Sequence, residues 1–362
     1  MGTENITYVE ESYYNVSAVM PEPPLYIVIV ASIMYGLTFF LGLFGNLNVI
    51  IIVYKYKTMR SRMNYFLVNL SITDFFVLLV CIPSAAVDLF AKEVWYFGET
   101  MCKIVPFLEQ VTTLSCVLTI LAITLDRYKG ICYPLKYDEG RLHNIGTQLL
   151  IIWAVSIFVC IPVIFIPVFR DSNFHDGTPI QVCRMPINHM WQLVYFILIF
   201  AVFFCFMFIM LLFFYGKICK ALGERKKFIN LSADRYAKKI LKERRQMVKL
   251  MLAVVVMFFI CLLPQRAVSL WLIFADKSNI MSLQLEGYLL LKTFPRVLVY
   301  MNSAINPIIY NFISTKFRKA FLNILCIKHK LYSLTDVSMV RRKSCYTDVT
   351  ELTGNAKLKN NR

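Results

Sequence analysis

The chain has 362 residues, of which 58% are hydrophobic, and it carries a formal net charge of +17. Few soluble domains of this size can bury so much apolar surface. A helix needs about 20 mostly apolar residues to cross the hydrocarbon core of a bilayer. Stretches of that kind occur at 26–54, 63–90, 102–132, 147–169, 190–219, 246–274 and 289–313. The composition therefore predicts an all-α membrane protein and excludes a soluble fold.

The basic residues predict an orientation, because the cytoplasmic connections of membrane proteins carry an excess of Lys and Arg. Segment 1–25 contains neither residue, whereas the connections near 55–62 and 217–249 and the segment after 313 are basic. With seven alternating spans, the N-terminus lies outside the cell and the positive charge lines the cytoplasmic surface. Nucleic acid is not an expected partner, because the basic residues flank membrane spans.

Segment 1–25 is expected to be an extracellular, glycosylated N-terminus, because Asn5 and Asn15 each begin an N-x-Ser/Thr sequon. Cys102 and Cys183 lie at the outer ends of the predicted spans. Both would face an oxidising compartment, which favours a disulfide between them, although a sequence alone does not fix the pairing. Cys326 follows the last span on the inner side, where palmitoylation is expected.

The segment after the last span divides into two parts. Residues 314–326 place Lys and Arg beside Phe317 and Phe321 at helical spacing, which predicts an amphipathic helix on the inner leaflet. Residues 327–362 are polar and rich in Ser and Thr, which predicts a disordered cytoplasmic tail.

Each predicted span carries polar residues or prolines that are costly on a lipid-facing surface. In chain order they are Gly45-Asn46, Asn69-Leu70-Ser71-Ile72-Thr73-Asp74, Asp126-Arg127-Tyr128, Trp153, Tyr215, Phe258 with Cys261 and Pro264, and Asn306-Pro307-Ile308-Ile309-Tyr310. In this order, from about 26 to 326, the chain resembles the rhodopsin-like (class A) G-protein-coupled receptors. The resemblance implies a seven-transmembrane helix bundle with a short eighth helix, and a receptor rather than an enzyme.

A central polar cluster is the first feature that the resemblance implies. Asp74 is a lone carboxylate in mid-span and needs a partner or a cation. The available polar groups are Asn46, Asn302 and Asn306. Family members often hold sodium there, but Cys116 stands where they usually have Ser, which argues against sodium here. No cofactor or metal is expected.

An activation switch at the inner ends of the helices is the second implied feature. Arg127 is expected to pair with Asp126 at rest and to turn towards Tyr215 and Tyr310 in the active state; the alternative is a merely interfacial arginine. The switch set is Asp126, Arg127, Tyr128, Tyr215, Phe258, Asn306, Pro307 and Tyr310. Leu262 replaces the usual Trp of the sixth helix, and the fifth helix lacks its usual Pro near Met207. Phe258 or another packing change is expected to replace the tryptophan.

The sixth and seventh spans most closely resemble the thyrotropin-releasing-hormone receptor group, in segments 251–256, 264–266 and 301–307. Relatives in that group carry arginines, which contact the peptide, at the positions of Arg266 and Arg296. The predicted ligand-binding residues are Glu109, Gln110, Gln265, Arg266, Arg296, Tyr195 and Tyr288. Glu109 replaces a Gln of the relatives, which suggests a cationic group on the ligand. An ion pair between Glu109 and an arginine that only orders the bundle is the alternative.

The expected function is a plasma-membrane receptor that couples an extracellular short peptide to a heterotrimeric G protein. A Gq-type protein with calcium signalling is favoured, and arrestin, receptor kinases and membrane lipids are expected partners. A receptor for a non-peptide small molecule is the alternative. A transporter has little support, because no span repeats its charges, and an intramembrane metalloenzyme has none, because the 4 histidines lie in connections, span ends or the tail.

Overall fold

The computed structural model describes residues 23–91, 94–134, 145–173, 178–230, 235–275, 277–283 and 285–324. The predictions for Asn5, Asn15, Cys326 and the tail 327–362 lie outside these residues. The described residues fall into two units, divided between Ser314 and Thr315.

The first unit is built from long helices. The helices are α1 (Leu25–Lys55), α2 (Arg62–Phe90), α3 (Gly98–Cys132), α4 (Ile145–Phe165), α5 (Met190–Lys226), α6 (Arg235–Phe274) and α7 (Leu285–Ile313). A short helical segment, Lys277–Ser282, precedes α7. Helices α1 to α6 are long and apolar enough to cross a membrane. These helices confirm the predicted all-α membrane fold.

Helix α7 is the exception in hydropathy, although its 29 residues are long enough to span a bilayer. Its polar residues Asn302, Ser303 and Asn306 are buried inside the protein. A membrane helix can carry such groups when they face the bundle interior, where other protein groups satisfy them. The unusual composition of α7 therefore reflects its position in the bundle.

The helices close into a ring, because α7 packs against both α6 and α1, and α1 in turn packs against α2. Helix α3 is the central helix, with contacts to α2, α4, α5 and α6. Bulky apolar side chains such as Phe40, Phe158 and Phe165 point outwards and are more than 70% exposed. Asp74 and Asn306 are buried. Polar groups inside and bulky apolar groups outside are what a lipid environment requires.

Within the part of the chain that the structure describes, two helices are interrupted by a π turn, which inserts an extra residue and rotates the chain beyond it. In α2 the π turn is Val77–Cys81, and in α5 it is Ala201–Phe206. The second turn ends directly before Met207, the position near which the resemblance led us to expect a proline. The π turn therefore provides a local irregularity in α5 without a proline.

A β-hairpin, which the sequence did not predict, lies between α4 and α5. Its strands β1 (Val168–Asn173) and β2 (Pro179–Arg184) pair antiparallel. Cys183 on β2 forms a disulfide with Cys102 on α3, with Cα atoms 5.7 Å apart, which confirms the expected pair. The backbone N–H of Trp95 donates to the backbone carbonyl of Gln181 at 2.7 Å. These contacts fix the hairpin against the start of α3.

The second unit contains α8 (Thr315–Ile324). Phe317 and Ala320 are buried, whereas Lys316, Arg318 and Lys319 are exposed. The amphipathic helix predicted from the sequence is therefore present as far as residue 324.

Gly45 marks a close approach of α1 and α7, because a Cβ built there would lie 2.7 Å from Cβ of Pro307. Gly45→Ala is expected to lower the free energy of unfolding by about 1–3 kcal/mol through overpacking. Gly36→Ala is the matched control, because a Cβ there meets nothing within 4 Å, and it should be neutral or slightly stabilising. Thermal unfolding of the solubilised chains measures both effects. Equal melting temperatures for the two variants would contradict the close approach.

Candidate functional site

The main candidate functional feature is a cavity of about 430 Å³ between the outer halves of α2, α3, α6, α7 and the β2 strand. Its volume lies within the usual range for small-ligand sites. The predicted ligand-binding residues that line it are Glu109, Gln110, Gln265, Arg266, Tyr288 and Arg296. Tyr195 does not line it; its hydroxyl donates to the Val159 carbonyl at 3.2 Å and joins α5 to α4.

An acidic residue that the sequence reasoning missed organises one side of this cavity. Asp88 on α2 accepts from Arg296 Nη1 at 3.0 Å and lies 3.4 Å from Lys292 Nζ. Lys292 and Arg296 are one helical turn apart, so both reach the same carboxylate. Asp88 lies about four turns beyond Asp74 on α2. That spacing was the available signal for a second carboxylate directed inwards.

The ion pair considered between Glu109 and an arginine is not formed among the described residues. Arg296 is engaged by Asp88 instead. Arg266 donates from Nη2 to Gln110 Oε1 at 3.2 Å, which joins α6 to α3. Glu109 still lines the cavity and is close enough to both arginines for an electrostatic interaction. Its carboxylate therefore contributes to the field of the cavity without anchoring either guanidinium.

The inner end of the cavity is closed by an apolar layer on α6. Leu262, which stands in place of the usual tryptophan, lines the cavity, and Phe258 lies one turn further in. Both border a second, much smaller cavity of about 20 Å³ next to α3 and α5. The Phe258 ring lies edge-on to Phe259 at 5.5 Å, and Phe259 contacts Phe204 on α5 at 5.1 Å. Leu262 therefore lies beside a group of aromatic contacts that joins α6 to α5.

The predicted polar cluster occupies the middle of the bundle, and all four of its members are buried. Asn306 Nδ2 donates to Asp74 Oδ2 at 3.0 Å, which joins α7 to α2. Asn46 Nδ2 donates to the Ser303 carbonyl at 2.9 Å, which joins α1 to α7. Asn302 also lies on this stretch of α7. Cys116 Sγ is 3.1 Å from Thr73 Oγ1, so the substituted position is paired within the protein.

A second polar chain connects α2, α3 and α4. Trp153 Nε1 donates to Asn69 Oδ1 at 2.8 Å, and Asn69 Nδ2 donates to Thr119 Oγ1 at 2.9 Å. Both polar ends of the Asn69 amide are therefore satisfied inside the bundle, as a buried amide requires.

The predicted switch lies at the inner end of α3. Arg127 Nη2 donates to Asp126 Oδ2 at 2.6 Å, so the two side chains are paired in this structure. That the pair belongs to a resting state stays a prediction. The other carboxylate oxygen of Asp126 lies 2.9 Å from Arg62 Nε, and Arg62 Nη2 donates to Gln148 Oε1 at 3.0 Å. Arg62 was not predicted. It joins α2, α3 and α4 at the carboxylate that also holds Arg127.

The aromatic members of the switch set lie at different depths. Tyr310 is fully buried, and the Tyr215 hydroxyl accepts from Thr124 Oγ1 at 3.4 Å. Tyr128 lies near the inner rim, with its hydroxyl 3.4 Å from that of Tyr133. Pro307 packs closely against Gly45 on α1. In this arrangement Arg127 is held by Asp126, and its Nη1 atom is 4.0 Å from Met247 Sδ on α6.

The chain matches the family model of the 7 transmembrane receptor (rhodopsin family) over residues 45–310. It is 28% identical to a QRFP-like peptide receptor of Branchiostoma floridae over 82% of this chain and 77% of that protein. It is 29% identical to the neuromedin U receptor homolog nmur-2 of Caenorhabditis elegans, over 84% and 81%. It is 28% identical to the endothelin receptor type B of Rattus norvegicus, over 82% and 67%. The closer likeness to thyrotropin-releasing-hormone receptors stays a prediction.

Proposed function

Because the chain belongs to the rhodopsin family of seven-transmembrane receptors, we propose that it binds an extracellular short peptide and activates a heterotrimeric G protein. Members of this family are receptors, and this chain is therefore a receptor and not an enzyme. Relatives named for a QRFP-like peptide, neuromedin U and endothelin support a peptide ligand. The observation that carries the proposal is the cavity of about 430 Å³ lined by charged residues from several helices.

The N-terminus is proposed to be extracellular. The disulfide, the β-hairpin and the cavity lie at one end of the helices. The exposed basic residues Lys238, Lys239 and Lys242 belong to the first turns of α6, at the opposite end. Disulfides form in oxidising compartments and basic segments stay in the cytoplasm, so both features support the same orientation in the plasma membrane.

The proposed mechanism is a shift between two packings of the bundle. A ligand in the cavity changes the packing around Leu262 and Phe258, and α6 moves relative to α5 and α3. At the inner end, Arg127 leaves Asp126 and a surface opens for the G protein. A Gq-type protein is the favoured partner. Arrestin and receptor kinases are proposed to act on the tail, and anionic lipid to contact the basic start of α6.

Asp126→Asn is expected to raise the signal measured without ligand. The substitution removes the charged acceptor of Arg127, and a charge-assisted hydrogen bond of this exposure is worth about 1 kcal/mol or more. A small active fraction would therefore increase about fivefold. Basal inositol phosphate in cells, normalised to surface expression, measures it. Asp126→Glu keeps the carboxylate and is the control; an unchanged basal signal in Asp126→Asn would contradict the resting role of the pair.

The resemblance to the family suggests a sodium ion at Asp74. We propose that agonist binding by this receptor does not depend on such an ion. Asp74 already accepts a hydrogen bond from Asn306, and the Cys116 thiol is paired with Thr73. A thiol is also a softer metal ligand than the serine hydroxyl that the resemblance leads us to expect at position 116. Replacing extracellular sodium by an impermeant organic cation should shift agonist affinity by less than about threefold, below the coupling typical of an allosteric effector. A larger shift would show that sodium binds.

The direct test of the proposed function is a calcium measurement in cells that express the chain and receive a panel of short synthetic peptides. We expect at least one peptide to elicit a response that is absent from untransfected cells. Arg127→Ala is the matched control, because it should abolish the response without removing ligand binding. A response only to non-peptide compounds would support the alternative ligand class, and ligand-dependent flux without G protein would contradict the receptor mechanism.

A further inference from the structure

Among the described residues, basic side chains outnumber carboxylates in the lining of the cavity. Its lining contains two carboxylates and four basic side chains, namely Asp88, Glu109, Arg184, Arg266, Lys292 and Arg296. Asp88 is shared by two of the cations, Arg296 and Lys292. A cavity with an excess of one charge concentrates ligands of the opposite charge. The balance therefore favours an anionic group on the ligand, in contrast to the cationic group that Glu109 alone suggested.

Arg266 is a cation of the cavity for which no carboxylate lies at ion-pair distance among the described residues, unlike Lys292 and Arg296. Its guanidinium is hydrogen-bonded to the neutral Gln110 side chain. A guanidinium presents five donors in a planar fork that matches a carboxylate. The bond to Gln110 is the side-chain hydrogen bond that Arg266 makes among the described residues, and the side chain lines the cavity. An arginine in this condition is suited to a carboxylate supplied by the ligand.

Gln265, the neighbour of Arg266, provides a second and independent indication. Its Oε1 atom is buried and has no hydrogen-bond partner among the described residues, and the side chain lines the same cavity. A buried acceptor without a donor costs free energy in the empty receptor. An N–H group of the ligand would satisfy it once a rotation of the side chain turns this oxygen towards the cavity that Gln265 lines.

We propose that the cavity binds the carboxyl end of a peptide as a free acid. The terminal carboxylate pairs with Arg266, and the N–H of the terminal residue donates to Gln265 Oε1. Asp88 keeps Arg296 and Lys292 engaged, so these two cations are not the primary site for the carboxylate. This inference rests on the proposed function as a peptide receptor. It specifies which terminus of the peptide the receptor recognises.

The first test needs no ligand and compares two arginines of the same cavity. Arg266→Met removes a guanidinium that lacks a carboxylate, so the melting temperature of the purified, ligand-free chain should rise by roughly 2–5 °C. Arg296→Met breaks an ion pair and leaves Asp88 short of a partner, so its melting temperature should fall. A fall in both variants would show that Arg266 has a structural role and would overturn the proposal.

The second test uses a panel of short synthetic peptides, each made once with a free carboxyl end and once with a carboxamide end. Active sequences should be at least about thirtyfold more potent as acids, because loss of a buried charge pair costs at least about that factor. In Arg266→Gln this ratio should approach one, and in Arg266→Lys part of it should return. A purely structural role of Arg266 would lower the potency of acids and amides alike.

The possible responses distinguish the free-acid inference from the proposed function. Equal or greater potency of the amides overturns the free-acid inference and leaves the receptor a peptide receptor. A response restricted to non-peptide compounds removes the proposed function and this inference together.

Discussion

A Cys102→Ser chain is expected to lose most of its delivery to the cell surface. The disulfide to Cys183 closes a segment of 81 residues and holds the β-hairpin on the start of α3. Loss of a native disulfide typically costs about 2–5 kcal/mol. Native stability is only about 5–15 kcal/mol, so a loss of this size populates unfolded chains that cells degrade. Surface immunolabelling against total receptor measures the effect.

Further cysteine variants distinguish the loss of the Cys102–Cys183 disulfide from a general effect of replacing any cysteine. Cys183→Ser should match Cys102→Ser, and the double variant should be no worse than either, because all three remove the same bond. Cys205→Ser is the control, since Cys205 is a free, exposed cysteine on α5. Normal surface delivery and ligand response in Cys102→Ser would contradict the structural role of the bond.

Asp88→Asn is expected to lower the melting temperature of the ligand-free receptor by roughly 6–12 °C. The change removes the carboxylate that Arg296 and Lys292 share between α2 and α7. An enclosed cation left without its counter-ion costs about 3 kcal/mol or more, reduced where solvent reaches it. About 1 kcal/mol corresponds to a shift of a few degrees in a protein of this size. The two helices at the cavity mouth would then separate more easily.

Two further variants separate the loss of the ion pair from the Asp to Asn change itself. Asp171→Asn on the exposed β1 strand is the control for that change, and it should be nearly neutral. Adding Arg296→Met to Asp88→Asn removes one stranded cation and should recover part of the lost stability. If Asp88→Asn melts like the parent chain, the ion pair makes no net contribution.

The helices can be predicted from the sequence because the membrane makes hydrophobicity a strong signal. Each span must hold about 20 apolar residues, and each polar exception must face inwards. That requirement is enough to place Asp74 and Asn306 in one cluster, and their side chains are hydrogen-bonded in the bundle. The same logic identifies Cys102 and Cys183, because orientation restricts which cysteines can be oxidised.

The features that escape prediction depend on contacts between distant segments. Asp88 and Arg296 are 208 residues apart, and the sequence does not show that their helices face each other at the same depth. The β-hairpin is short and is held by its disulfide and by Trp95, so it carries little local signal. The π turns in α2 and α5 change the register of a helix by one residue, which apolar periodicity over a short window does not resolve.

The Asn69 side chain, with Trp153 on one side and Thr119 on the other, ties α2, α3 and α4 to one another. Helices α2, α3 and α4 should open for deuterium exchange together, as a single cooperative unit. In the proposed mechanism the displacement that carries a signal then falls to α6, because α7 is itself held to α2 through Asn306 and Arg296. An antibody fragment fixed to α4 would therefore leave signalling intact, whereas one that clamps α6 would silence the receptor.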